Sequence, residues 1–153
     1  MGGKLQISRS RKMTIKYEMD DVGVHAIGLN HGTLTAVTQL DEEYGLGFAS
    51  SQLLVSSLAG CSGLTLRQIL KKMRKSYSGV SITAEMERND QKRKRIEVVH
   101  LNFIITSNDI DDDLAAKLAE LVHNNCPMIQ SVCDAIDVRE NFKVQPAAET
   151  AEA

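Results

Sequence analysis

Residues 51–75, SQLLVSSLAGCSGLTLRQILKKMRK, decide the fold. From Leu53 to Leu66 no side chain is charged, and charge then arrives as Arg67, Lys71, Lys72, Arg74 and Lys75. At about 100° per residue a helix places Leu54, Leu58, Cys61, Thr65 and Ile69 on one face, and Leu53 and Leu64 widen the apolar surface to most of the circumference. A helix apolar nearly all round is a buried one. The uncharged run falls short of the roughly 20 apolar residues that span a bilayer, so protein must cover it. Ala59, Gly60, Ser62 and Gly63 flank Cys61 and predict a close approach by another backbone, with the thiol at the tightest point of the core.

Working outward, MTIKYEM (13–19), HAIGLN (25–30) and GTLTAVTQLD (32–41) are short runs rich in Thr, Val and Ile. Asp20-Asp21 and Asn30-His31-Gly32 separate them, which predicts an antiparallel meander with a tight turn at Asn30-His31-Gly32. Ser50 or Ser51 is the expected N-cap of the apolar helix. After Ser76 the period becomes two: Val80, Ile82, Ala84 and Met86 alternate with polar residues. The following run, Ile96 to Ile105, changes phase near Val98-Val99, which predicts a bulge or a strand covered on both faces. Between these strands Lys92, Arg93, Lys94 and Arg95 read as a solvated hairpin tip.

A second helix is expected from near Asp109, with Asp111, Asp112 and Asp113 favoring the positive end of its dipole and Leu114, Leu118, Leu121 and Val122 facing inward. Asn124-Asn125 ends it. Cys126-Pro127 restarts a short helix, because Pro suits a first helical position. Ile136, Val138, Phe142 and Val144 alternate in a last strand. Residues 1–12 form a flexible arm, 13–145 one domain and 146–153 a disordered polar tail. The order β-β-β-α-β-β-α-α-β makes this an α+β protein. One small sheet cannot cover the long helix on all sides, so a second subunit is expected to supply the rest.

With 153 residues, 42% hydrophobic and 25% charged, the chain suits one soluble domain. It has no Trp and only 4% aromatic residues, so its core must be aliphatic and Met-rich. A net charge of -2 gives no general reason to expect nucleic acid or an anionic membrane as partner. No signal-peptide pattern opens the chain, and three cysteines without one read as cytoplasmic thiols rather than a disulfide scaffold.

Among those thiols Cys126 stands out first. At the N-cap of a new helix, unpaired N–H groups favor a thiolate and lower its pKa from about 8.5; the plainer alternative is a small buried hydrophobe. Cys61, in mid-helix, gains nothing from the dipole, and burial raises its pKa, so a structural role is the simpler reading of the residue by itself. Cys133 is read as structural. His123, Cys126 and Cys133 lack the paired spacing of a metal site, and no cofactor-binding motif is present.

Gln52-Leu53-Leu54 followed by Leu58-Ala59-Gly60-Cys61 on the first long helix, and Asn125-Cys126-Pro127 after the second, give a chain that resembles the OsmC/Ohr family over roughly Met13 to Val144. The resemblance implies an OsmC-like fold in an intertwined homodimer with the long helices at its center. It implies thiol-dependent reduction of organic hydroperoxides in oxidative-stress defense: Cys61 attacks the peroxide, Cys126 resolves the sulfenic acid to a disulfide, and a thiol or lipoyl-type reductant restores both. In the family's peroxidases a Pro-Glu pair precedes the helix cysteine and an N-terminal Arg activates it. Here Ser50 and Ser51 take the place of the pair, and no Arg lies between Met13 and Ser50, so slow turnover is expected. The alternative is a non-catalytic or redox-sensing dimer that binds a small apolar ligand near Cys61.

Overall fold

The computed structural model describes residues 15–19, 23–28, 36–39 and 49–148. The chain divides into two compact units, residues 1–50 and 51–153. The first carries β1 (Ile15–Met19), β2 (Gly23–Gly28) and β3 (Ala36–Gln39), joined in that order as an antiparallel sheet. Ile15 pairs with Gly28 and Met19 with Val24, while Gly23 pairs with Gln39. The strands of the expected meander are therefore present. Its Asn30-His31-Gly32 turn, the arm at 1–12 and the tail beyond 148 lie outside the described residues.

The second unit follows the expected order: α1 (Ser50–Lys72, beginning at the unit boundary), β4 (Gly79–Asn89), a single 3-10 turn (Asp90–Lys92), β5 (Arg95–Thr106), α2 (Asp112–Asn125), α3 (Pro127–Val132) and β6 (Asp137–Gln145). β5 lies between its two neighbors, antiparallel to β4 and parallel to β6. Its Val99, Leu101, Phe103 and Ile105 are buried in strict alternation, the period of two that one core-facing side of a strand imposes. Phe103 stacks on Phe142 of β6 with ring centers 4.3 Å apart.

The phase change falls one residue before its expected place. Glu87 pairs with Val98 but Arg88 with Ile96, so Glu97 is the extra residue of a bulge. Glu97 accepts a hydrogen bond from Asn89 Nδ2 at 3.0 Å and forms ion pairs with Arg95 at 3.6 Å and Lys92 at 3.8 Å. Two of the four basic residues at the hairpin tip are thus tied to the bulge. The other two, Arg93 and Lys94, turn the chain with φ of 55° and 57°.

α1 corrects the sequence reading in two ways. Its buried residues are Val55, Leu58, Ser62, Thr65, Leu66 and Leu70, a stripe rotated from the expected Leu54–Cys61–Ile69 face, and Leu54 and Leu64 remain 36% and 60% exposed. Periodicity could not choose among so many apolar positions; packing in one core with β5, α2 and α3 does. The helix is also longer than the uncharged run, and by length and composition alone it could cross a membrane, a test that core helices of soluble proteins pass as well. Gly63 does sit at a close approach, since a Cβ there would meet Ile82 Cδ1 of β4 at 2.9 Å. Gly60 faces open space.

α2 begins at Asp112, not near Asp109. Asp111 is the N-cap, its Oδ1 accepting the Leu114 N–H at 2.8 Å. Asp109 instead accepts the Ser76 N–H at 2.9 Å and pairs with Lys75 at 3.2 Å, tying the end of the α1–β4 connection to the α2 approach. Ala115, Leu118 and Val122 face the core, while Leu121 is 39% exposed.

Candidate thiol site

Two elements bring the site together. α1 delivers Cys61 and Ser62 from the middle of its length, and the α2–α3 junction delivers Cys126. Pro127 opens α3 directly after α2 ends at Asn125, so Cys126 is at once the C-cap of one helix and the N-cap of the next. Its N–H donates to Val122 O at 2.9 Å and its carbonyl accepts from Gln130 N at 3.0 Å, which fixes the residue on both sides. The side chain is fully buried. Cys61, half-buried, packs against the same core. The tightest thiol is therefore Cys126, and Cys61 keeps an outlet to the surface.

Ser62 Oγ donates to Cys126 Sγ at 3.6 Å, inside a fully buried contact. Other hydroxyls of α1 behave in the ordinary way for a helix: Ser57 bonds Leu54 O at 2.7 Å and Thr65 bonds Cys61 O at 2.9 Å. Ser62 turns its proton to sulfur.

Burial pushes the Cys61 thiol up; the Met128 main chain pulls it partly back, and the neighboring Cys126 thiol raises it further. Burial also acts to raise Cys126, but the Ile129 main chain, the Ser62 hydroxyl, the Cys61 thiol and the Met128 main chain outweigh it, so its pKa lies below the usual thiol range. Cys126 Sγ closes no capping hydrogen bond of regular geometry; the main-chain N–H groups of the first α3 turn act on it as nearby dipoles. Of the two thiols Cys126 is the more acidic, its pKa lowered where that of Cys61 is raised. That is the order expected of Cys126 at an N-cap and of Cys61 in mid-helix.

The remaining candidates separate from this pair. Cys133 caps the end of α3, its Sγ directed to Gln130 O at 3.7 Å. His123 pairs with Glu140 of β6, Nδ1 to Oε2 at 3.0 Å, beside an open cleft of about 360 Å³ lined by Ala119, Glu120, His123, Asn124 and Glu140. Burial raises the Glu140 pKa and His123 offsets this in part, while Glu140 Oε1 is buried without a hydrogen-bond partner. Among the described residues no three His, Cys, Asp or Glu side chains are arranged to hold a metal ion.

Sequence reasoning missed three groups. Ser62 was passed over as one more small residue, although it lies four positions after the buried Leu58 and so shares its face. Glu140 carried one usable signal, a carboxylate in register with the inward residues Val138 and Phe142. Arg88 carried none: its guanidinium reaches Ser51 Oγ at the start of α1.

The OsmC-like protein family model matches residues 41–141, a span that holds α1 through most of β6 and all three cysteines. The chain belongs to the OsmC-like family. It is similar to protein YhfA of Escherichia coli K12, with 22% identity over 97 residues that cover 63% of this chain and 72% of that protein. An OsmC-like protein of Mycoplasma pneumoniae superposes with a TM-score of 0.74 at 15% identity, covering 90% of this chain and 99% of that one. An organic hydroperoxide resistance protein of Legionella pneumophila superposes with a TM-score of 0.71 at 21% identity, covering 87% and 97%. At these identities the superpositions establish the fold.

Proposed function

We propose that the protein is a cytoplasmic, homodimeric thiol peroxidase that reduces organic hydroperoxides through Cys61 and Cys126 and is returned to the dithiol by a thiol or lipoyl-type reductant. One observation carries this reading: two thiols from distant parts of the chain pack into one core, Cys126 buried within it and Cys61 half-buried against it. In this reading Cys61, the more exposed of the two, attacks the peroxide, and Cys126 resolves the sulfenic acid to a disulfide. Family membership and likeness to a hydroperoxide resistance protein support the substrate class. The exposed Leu54 and Leu64 on α1 support the dimer, because a second subunit laid on that side would cover them; Cys61, which lies between them around the helix, would then open onto the subunit interface.

The test is a count of free thiols in the reduced protein before and after a small excess of an alkyl hydroperoxide, with Cys61→Ser and Cys126→Ser alongside. Loss of two thiols per chain, reversed by a dithiol and absent in Cys61→Ser, is the expected result. Unchanged thiols in the wild-type protein would overturn the peroxidase reading and turn attention to ligand binding near Cys61.

A further inference from the structure

Of Val138, Glu140, Phe142 and Val144, which share the inner side of β6, only Glu140 is polar. It lies in register with the fully buried Leu101 of β5, and its side chain is 4% exposed. A carboxylate there is costly unless its oxygens are hydrogen-bonded. His123 satisfies one of them, with Nδ1 3.0 Å from Oε2. The other, Oε1, is buried without a partner. Asn124, whose amide carries two donors, lines the same cleft and does not supply the bond. An ion pair with His123 thus accounts for half of the carboxylate, and the second oxygen calls for a further donor.

The cleft itself indicates what kind of donor. Its lining holds the carboxylates of Glu120 and Glu140, the Asn124 amide and the His123 ring, with Ala119 as its apolar member and no Lys or Arg, so an anion is disfavored. It runs along the last two turns of α2, the end at which a helix dipole favors positive charge. Among the described residues no three His, Cys, Asp or Glu side chains could hold a metal ion, so the positive charge belongs to a group that brings its own N–H donors. A volume of about 360 Å³ is near the lower end for small-molecule sites.

We propose that the cleft between the end of α2 and β6 is a binding site for a small primary ammonium ion, with Glu140 Oε1 and the Glu120 carboxylate as its acceptors. An ammonium carries three donors. One of them completes the buried carboxylate with a charge-assisted hydrogen bond, roughly twice as strong as a neutral one. Because Oε1 is covered, a neighboring side chain must yield as the ligand enters, and His123, 37% exposed, is the freer member of the ion pair. Burial raises the Glu140 pKa, and a bound cation acts in the opposite direction. None of the three cysteines lines the cleft, so the site does not depend on the peroxide chemistry.

The test follows the backbone amide resonances of the reduced, full-length protein as n-butylammonium is added at constant ionic strength. A parallel titration uses butyltrimethylammonium, which has the same charge and no N–H donor. Saturable shifts centered on residues 119–124 and 140 are expected with butylammonium, and at least fivefold weaker binding with the trimethyl compound. Glu140→Gln should weaken butylammonium binding roughly tenfold, the loss of one charged hydrogen bond. Glu120→Gln, at an exposed position, should weaken it less, and Glu85→Gln, on the outer side of β4, should leave it unchanged. No saturable shift in the wild-type protein would overturn the proposal and leave water as the partner of Oε1. Equal binding of the two cations would overturn it as well, without recourse to any variant, and so would undiminished binding in a folded Glu140→Gln protein.

Discussion

Cys126 and His123 sit three residues apart at the same helix junction, and their side chains enter two quite different polar contacts. Cys126 is fully buried, and Ser62 Oγ of α1 donates to its sulfur at 3.6 Å. His123 meets Glu140 of β6 at the mouth of an open cleft, and only the carboxylate is sequestered: the Glu140 side chain is 4% exposed against 37% for His123. In the first contact the surroundings stabilize negative charge, so the pKa falls. In the second they do not, because one carboxylate oxygen lacks a partner and burial raises the pKa. Burial alone therefore does not set the direction; the number of donors brought to the charged atom does.

The largest expected effect breaks the weaker side of this comparison. His123→Ala removes the imidazole that meets the Glu140 carboxylate at 3.0 Å and leaves a buried charge unpaired, which should lower stability by about 2 to 3 kcal/mol at pH 7. The pH dependence identifies the cause. Because the folded pKa of Glu140 is raised, the folded state holds the proton more tightly than the unfolded chain. Its contribution is most favorable below the ordinary carboxylate range and declines as pH rises through the raised folded value. Removal of His123 should accordingly do least harm in acid. Urea unfolding of both proteins from acidic to neutral pH tests this; an equal loss at every pH would place the effect in packing instead.

How much of the two contacts could be read in advance follows from the same physics. Cys126 was legible because local sequence makes its environment: Asn125 closes one helix, Pro127 opens another, and the cap geometry needs no information from elsewhere. The long helix, its small residues and the period-two strands were legible for the same reason, and so was the element order. Which side of α1 would be covered was not, because Leu53, Leu54, Val55, Leu58 and Leu64 are nearly interchangeable by hydropathy and the sheet and α2–α3 choose among them. The partnerships of Ser62 with Cys126 and of His123 with Glu140 were hidden too. Each joins residues far apart in the chain, and neither partner carries a local mark of the other. Cys61 alone shows a buried mid-helix thiol; only the fold supplies its neighbor.

A smaller effect breaks the stronger side. Ser62→Ala deletes one donor to Cys126 without changing the backbone, and a single buried hydrogen bond contributes about 1 kcal/mol. The sign with pH is opposite to that at Glu140. The folded pKa of Cys126 is depressed, so its stabilization is present above the unfolded thiol pKa and is lost as pH falls through the folded value. Above the unfolded value the raised Cys61 pKa works the other way, since the unfolded chain has then shed a proton that the folded one keeps. Thermal unfolding against pH should show stability rising toward the thiol range and falling beyond it, with the rise flattened in Ser62→Ala. A rise of the same slope in both proteins would remove Ser62 from the account.

The smallest effect sharpens the comparison from outside both contacts. Cys133 caps the same short helix that Cys126 opens, but at its other end, where its Sγ is directed to the Gln130 carbonyl at 3.7 Å. It has the same chemistry as Cys126 and none of its donors. Cys133→Ser should change stability by less than about 0.5 kcal/mol, the range of substitutions away from special features, and should leave the stability–pH profile of the wild-type protein in place. Matched urea and pH titrations of Cys133→Ser and Ser62→Ala make the point directly. If Cys133→Ser flattened the rise toward the thiol range as much as Ser62→Ala did, the rise would belong to thiols in general; if only Ser62→Ala flattened it, the ionization resides where α1 meets the helix junction.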